Sequence, residues 1–247
     1  MTTPTTGGAS GLAAWANVRG VCFDLGGTLV RPDTHPTTGQ VAQVLGISLD
    51  EARAMMESGA KRRRIAPAAL ARELVTAREQ FEALPALERV LTAAQHRAAD
   101  PTLYDDSIPA LEMVKRRGFA VFAMTNSLGS SIPAQPPAFQ RLLDGLVYSA
   151  DTGACKPERA AFAAVERACR LRPDQLLHVG DSLRADVVGA LNAGWHTAYL
   201  HRKSDGRLPQ SVPRAVQQLR TLSELALLLP ASPRGMAPLA PGELETS

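Results

Sequence analysis

Short apolar runs and longer stretches of helical period alternate along this chain. The runs are Val21-Cys22-Phe23, Phe119-Ala120-Val121-Phe122-Ala123-Met124, Leu146-Val147-Tyr148, Leu176-Leu177-His178-Val179 and Thr197-Ala198-Tyr199-Leu200. Strands buried on both faces of a parallel sheet read this way, because neither face needs polar residues. With helices between the runs, the pattern predicts an α/β fold, a parallel sheet covered by helices on both faces.

One segment breaks the alternation: residues 36–100 contain no strand-like run. Ser48-Leu49-Asp50-Glu51 is a capping box that opens a helix, with Gly59 as its stop. Pro67, suited to a first helical turn, opens a second helix that runs through Leu74 toward Leu84. Pro85 starts a third, which ends before Pro101. The chain therefore divides into an α/β core at 15–35 and 101–229 and an all-helical insert at 36–100. Residues 1–14, rich in Thr and Gly, and 230–247, rich in Pro, Gly and Ala, read as flexible tails.

Composition narrows the class. Of 247 residues, 45% are hydrophobic and 21% charged, as in ordinary globular chains. A scattered net charge of +3 gives no nucleic-acid footprint. No apolar run approaches the roughly 20 residues that span a bilayer, and residues 1–10 lack the basic and apolar regions of a signal peptide. Cys22, Cys155 and Cys169 have neither C-x-x-C spacing nor an even count, which fits reduced thiols. Together these predict a cytoplasmic protein that binds neither nucleic acid nor membrane.

The candidate chemistry sits where strands end, which is where open α/β sheets bind ligands. The first run meets Asp24-Leu25-Gly26-Gly27-Thr28-Leu29, and the second meets Thr125-Asn126-Ser127. The fourth meets Gly180-Asp181-Ser182, with Asp186 five residues after Asp181. Before it, Cys155-Lys156-Pro157-Glu158 opens a helix, with Pro157 at the first position. Asp24 and Asp181, with Asp186 in support, are the carboxylates that a hard cation such as Mg²⁺ takes. A carboxylate held beside a metal and a phosphoryl group can also attack phosphorus, giving an acyl phosphate that water hydrolyses. Thr125 can donate to phosphoryl oxygens, and Lys156 can offset the gathering negative charge. Plainer readings stand beside these. Asp24 can cap a turn, Asp181 and Asp186 can cap a helix, and Asn126 and Ser127 can form a turn. The run Lys61-Arg62-Arg63-Arg64 reads as a solvated face, and Cys22, His178, Trp195 and Tyr199 as core.

The series Asp24-Leu25-Gly26-Gly27-Thr28, Thr125-Asn126, Lys156-Pro157 and Gly180-Asp181-Ser182-x-x-x-Asp186 resembles, in order and spacing, the four motifs of the haloacid dehalogenase-like superfamily over residues 17–205. The resemblance implies a Rossmann-like three-layer core and makes the insert similar to that family's small helical cap. It also implies Mg²⁺ and phosphatase activity on a small phosphorylated metabolite. By the same resemblance Asp24 is nucleophile and metal ligand, and Gly26 lends its backbone carbonyl to the metal. Thr125, with Asn126 beside it, binds the phosphoryl group, and Lys156 neutralises charge there. Asp181 binds metal, and Asp186 acts on the metal or its water.

One position departs from the pattern. Phosphatases of the family usually carry an Asp two residues after the nucleophile, serving as general acid and base; here that position is Gly26. Glycine cannot protonate a leaving alkoxide, and general acid–base catalysis typically contributes about 10²–10⁴-fold. Alkyl phosphates should suffer most from its loss, and acyl or aryl phosphates least. His35 or Asp33, just downstream, are candidate substitutes. The family's dehalogenases and phosphonate-cleaving enzymes also lack that Asp, but Asp181 and Asp186 keep a metal-binding pattern that metal-free dehalogenases do not need. Two readings from other classes compete. Gly26 suggests a weak or silent scaffold that binds a metabolite or partner protein. Asp-Leu-Gly-Gly-Thr also resembles the phosphate loop of actin-like sugar kinases, which would require a second nucleotide-binding domain.

Overall fold

All five apolar runs form strands in a computed structural model that describes residues 15–202 and 216–233. The tails expected at 1–14 and beyond 233 lie outside the described residues. The strands are β1 (Gly20–Phe23), β2 (Ala120–Thr125), β3 (Gly145–Tyr148), β4 (Leu176–Gly180) and β5 (His196–Leu200), joined by a sixth, β6 (Gln217–Leu219). They pair in parallel in the order β3-β2-β1-β4-β5-β6. The chain winds outward from β1 through β2 to β3, then returns to β4 and winds outward on the other side. The resulting crevice lies beyond the carboxyl ends of the central strands, where this topology places ligands.

Successive side chains point to opposite faces of the sheet. Val21, Phe23, Val121 and Ala123 join one apolar layer, and Cys22, Phe122 and Met124 join the other. Five α-helices stand between β1 and β2, and the first four are α1 (Thr37–Leu45), α2 (Leu49–Met55), α3 (Pro67–Thr76) and α4 (Leu84–Ala99). These four bury a core of their own, including Val41, Leu45, Met56, Leu70, Leu74, Leu87 and Leu91, into which Leu128 inserts from the sheet side. Helix α5 (Ser107–Arg116) covers one face of the sheet and α6 (Arg159–Cys169) the other.

Several boundaries differ from expectation. Ser48 does cap α2, its Oγ accepting from the Glu51 N–H at 3.1 Å. Gly59 does not stop that helix, which widens into a π-turn over Met56–Ala60. The unforeseen α1 opens on Thr37-Thr38-Gly39, poor helix formers, and is held by the burial of Val41, Ala42 and Leu45. Helix α3 ends at Thr76, short of Leu84, because its apolar face ends at Val75 and Glu79 then takes a left-handed φ of 54°. Helix α6 begins at Arg159 with Glu158 at its N-cap, so Pro157 precedes the helix and does not open it. Among the described residues no helix is long and apolar enough to cross a membrane, and all three cysteines are free.

Candidate active site

Strand β1 delivers Asp24 to the crevice. Its N–H donates to the Val179 carbonyl at 2.9 Å, one step past the Phe23 and Val179 pairing of β1 with β4. The chain then turns sharply. Gly27 sits at φ 80°, and a side chain there would overlap the Asp181 carboxylate. Arg202 donates to the Thr28 carbonyl at 2.8 Å and Ser107 Oγ to the Leu29 carbonyl at 2.7 Å, which pins the loop from the far side. Thr125 is the last residue of β2, and Asp181 follows the end of β4.

Asn126 carries Lys156 to the same place. Its Oδ1 accepts from the Lys156 N–H at 2.9 Å, and its Nδ2 donates to the Lys156 carbonyl at 2.8 Å. Both ends of this carboxamide, expected at the substrate, brace the Lys156 backbone. The Lys156 ammonium then donates to Asp24 Oδ1 at 2.6 Å, to Asp186 Oδ1 at 2.7 Å and to the Met124 carbonyl at 3.3 Å. Asp186 also accepts from the Ser182 N–H at 2.9 Å. Asp24, Thr125, Lys156 and Asp186 are buried, while Asp181 is exposed at the rim.

His178 is the functional neighbour that sequence reading missed. It is buried edge-on to Phe162 and Trp195, as a core residue would be. Its Nε2, however, lies 2.9 Å from Asp186 Oδ1. Nothing in the apolar run around it signals that contact, which depends on the turn that brings Asp186 back under β4.

Burial pushes the Asp24 carboxyl up to about 6, against the pull of Lys156. Partial desolvation of its carboxyl at the rim and the Asp186 charge push Asp181 up to about 6 as well. Burial also works against ionised Asp186, but Lys156 and His178 outweigh it and hold that carboxyl well below the usual range. Lys156 is raised, because Asp186 and Asp24 outweigh its own burial. Oxygens of Asp24, Asp181 and Asp186 lie within 4.8 Å of one another. Three carboxylates against one ammonium leave two negative charges uncompensated when all are ionised, and every donor is oxygen. That set fits a hard divalent cation.

A cavity of about 360 Å³ opens over Asp24, Gly26, Thr125 and Asn126. Neither Asp33 nor His35 is among the described residues lining it, and Asp33 pairs with Arg97 at 2.9 Å. The run at 61–64 is not simply solvated. Arg62 donates to the Gly153 carbonyl at 3.0 Å and pairs with Glu158, Arg64 pairs with Asp151, and Arg63 pairs with Glu73.

The haloacid dehalogenase-like hydrolase family matches residues 18–194, and the chain belongs to that family. The sugar-kinase reading of Asp24-Leu25-Gly26-Gly27-Thr28 falls with this assignment. Glyceraldehyde 3-phosphate phosphatase of Methanopyrus kandleri is 30% identical over 116 residues, 45% of this chain and 47% of that protein. The chain spans less than half the length of the curated relatives it matches. Among solved structures, a 2-haloacid dehalogenase from Pseudomonas syringae is similar with a TM-score of 0.61 and 21% identity, over 85% of this chain and 97% of that one. A HAD phosphatase from Thermococcus onnurineus gives a TM-score of 0.50 and 23% identity, over 84% and 96%. These structural likenesses establish the fold.

Proposed function

We propose that this hydrolase is a Mg²⁺-dependent phosphatase acting on a small phosphorylated metabolite through an aspartyl phosphate on Asp24. The observation that carries this reading is the buried Asp24 carboxylate beneath the cavity, with Oδ1 held by Lys156 at 2.6 Å and Asp181 and Asp186 beside it. The phosphatase among the relatives supports phosphate ester chemistry. With Oδ1 engaged, Asp24 Oδ2 attacks phosphorus, and the bond to the leaving oxygen breaks with its electron pair going to that oxygen. Water then attacks phosphorus, the bond to Asp24 breaks, and phosphate, a proton and the free carboxylate result. Thr125 donates to a phosphoryl oxygen, and Lys156 orients the nucleophile and offsets its charge. Asp24, Asp181, Asp186 and the Gly26 carbonyl would hold Mg²⁺, which supplies neutralisation of phosphoryl charge. The helical insert at 36–100 would act as the cap.

Gly26 favours a second reading, a scaffold that binds a metabolite or partner protein without turnover. The deciding experiment is phosphate release from acetyl phosphate, p-nitrophenyl phosphate and sugar phosphates, with Mg²⁺ or EDTA, beside Asp24→Asn. Release that EDTA and the variant both abolish supports the phosphatase. No release above background from any of them favours the scaffold.

A further inference from the structure

Two kinds of residue line the cavity. Asp24, Gly26 and Thr125 border it together with an apolar and aromatic set, Val30, Ala98, Pro133, Pro137, Phe139 and Tyr148, in which Val30 bridges to Gly26 and Tyr148 pairs with Thr125. Among the described residues that line it, Asp24 carries the only charge, and none is Lys, Arg or His. Arg64 lies 5.8 Å from the centre of the Tyr148 ring, but its guanidinium holds both carboxylate oxygens of Asp151. A substrate with a second anionic group would therefore find no cation among the described residues lining the cavity.

Sugar hydroxyls fare little better. The Asn126 carboxamide is committed to Lys156, and Ser127 Oγ lies 3.0 Å from Thr125 Oγ1. Ser131 and Tyr148 are the other hydroxyl-bearing residues among the described lining, so a polyol finds few partners there and fits less well than a ring. The cavity volume of about 360 Å³ lies near the lower limit for small-molecule sites, roughly 300–1,000 Å³, which suits a phosphoryl group and one ring.

An independent observation concerns the leaving group. Position 26 offers no acid, and the side of Gly26 where a Cβ would stand faces open space. An alkoxide departing there has no side-chain acid at position 26 to protonate it, and its conjugate-acid pKa is near that of water, about 15.7. A phenolate, with a pKa of about 10 as in tyrosine, leaves far more readily.

Building on the phosphatase reading above, we infer that the substrate class is an aryl phosphate monoester whose leaving group is one uncharged ring, seated against Phe139 and Tyr148. Asp24 forms its bond to phosphorus as the aryl–oxygen bond to phosphorus breaks. The electron pair stays on the phenolic oxygen, which takes a proton from water after it leaves, so no proton donor is required at position 26. Water then releases phosphate and a proton from Asp24.

The test separates binding from turnover. Phenyl phosphate, glycerol 3-phosphate, 3-phosphoglycerate and glucose 6-phosphate are compared by calorimetry on Asp24→Asn with Mg²⁺ and by phosphate release from the wild type. Phenyl phosphate should bind about tenfold tighter than the others, and its kcat/KM should exceed theirs by about 100-fold. Phe139→Ala should weaken phenyl phosphate binding. Ala98→Arg, at a half-exposed wall position, should shift preference toward 3-phosphoglycerate, and it keeps the test open if Phe139→Ala does not fold. Release from all four, with 3-phosphoglycerate or glucose 6-phosphate bound as tightly as phenyl phosphate, overturns the aryl assignment and leaves the phosphatase standing. Selective binding of phenyl phosphate without release from any leaves the aryl pocket standing and overturns the phosphatase.

Discussion

A side chain at position 180 would overlap the Asp186 carboxylate, so Gly180 and Asp186 share their space only because one of them has no Cβ. Asp186 cannot give way, since Lys156, His178 and the Ser182 N–H all hold it. Gly180→Ala should therefore cost about 1–3 kcal/mol, the usual penalty for overpacking a rigid site. Urea denaturation measures this; an unchanged midpoint would mean that the Asp186 network is looser than its geometry.

Position 26 is the opposite case. Nothing lies within 4 Å of a Cβ built there, so Gly26→Asp should fold as the wild type does. If the added carboxyl serves as acid and base, kcat for glycerol 3-phosphate should rise by about 10²–10⁴-fold and that for phenyl phosphate much less. An equal gain for both esters would show that leaving-group protonation is not what Gly26 forgoes.

Lys156→Met leaves Asp24 and Asp186 buried without their counter-ion. Breaking a buried pair from one side costs about 3–5 kcal/mol, and hydrolysis should vanish with it. The loss should depend on pH. Asp24 already sits at about 6 with the ammonium present and rises further without it, above its unfolded value of about 3.9. A carboxyl raised on folding favours the protonated folded state, so stability returns as pH falls through that folded value. The deficit should be larger at pH 8 than at pH 5, and denaturation at the two pH values checks the sign.

Mg²⁺ should stabilise the protein by mass action, by about 2.7 kcal/mol at a hundredfold excess over its dissociation constant. Asp181→Asn should blunt that response at little cost to the fold, because Asp181 is exposed. Thermal unfolding with Mg²⁺ or EDTA reads both proteins, and a wild-type midpoint indifferent to Mg²⁺ would remove the metal from the proposed mechanism.

The legible parts of the fold were those with a one-dimensional signature. Strands β1, β2 and β4 are buried throughout and read as apolar runs. Strand β6 is three residues at the sheet edge, two of them Gln217 and Gln218, and its pattern carries no strand signal. The polar groups at strand ends were equally visible, and the structure gathers Asp24, Thr125, Lys156, Asp181 and Asp186 there. What stayed hidden depends on contacts distant in sequence. His178 looks like core until the turn returns Asp186 to it, and Asn126 becomes a brace only when residue 156 arrives. The apolar cavity wall joins Val30, Ala98, Phe139 and Tyr148 from four separate segments.

The basic run has a consequence for engineering. Ser149 Oγ donates to the Lys61 carbonyl at 2.7 Å, Arg62 reaches Gly153 and Glu158, and Arg64 reaches Asp151. All four partners fall between positions 149 and 158, the stretch that also carries Lys156. The helical insert is thus not an interchangeable module. A chimera that imports a relative's insert will have to import its counterpart of 149–158 as well, or the transplanted helices will meet a docking strip cut for another key.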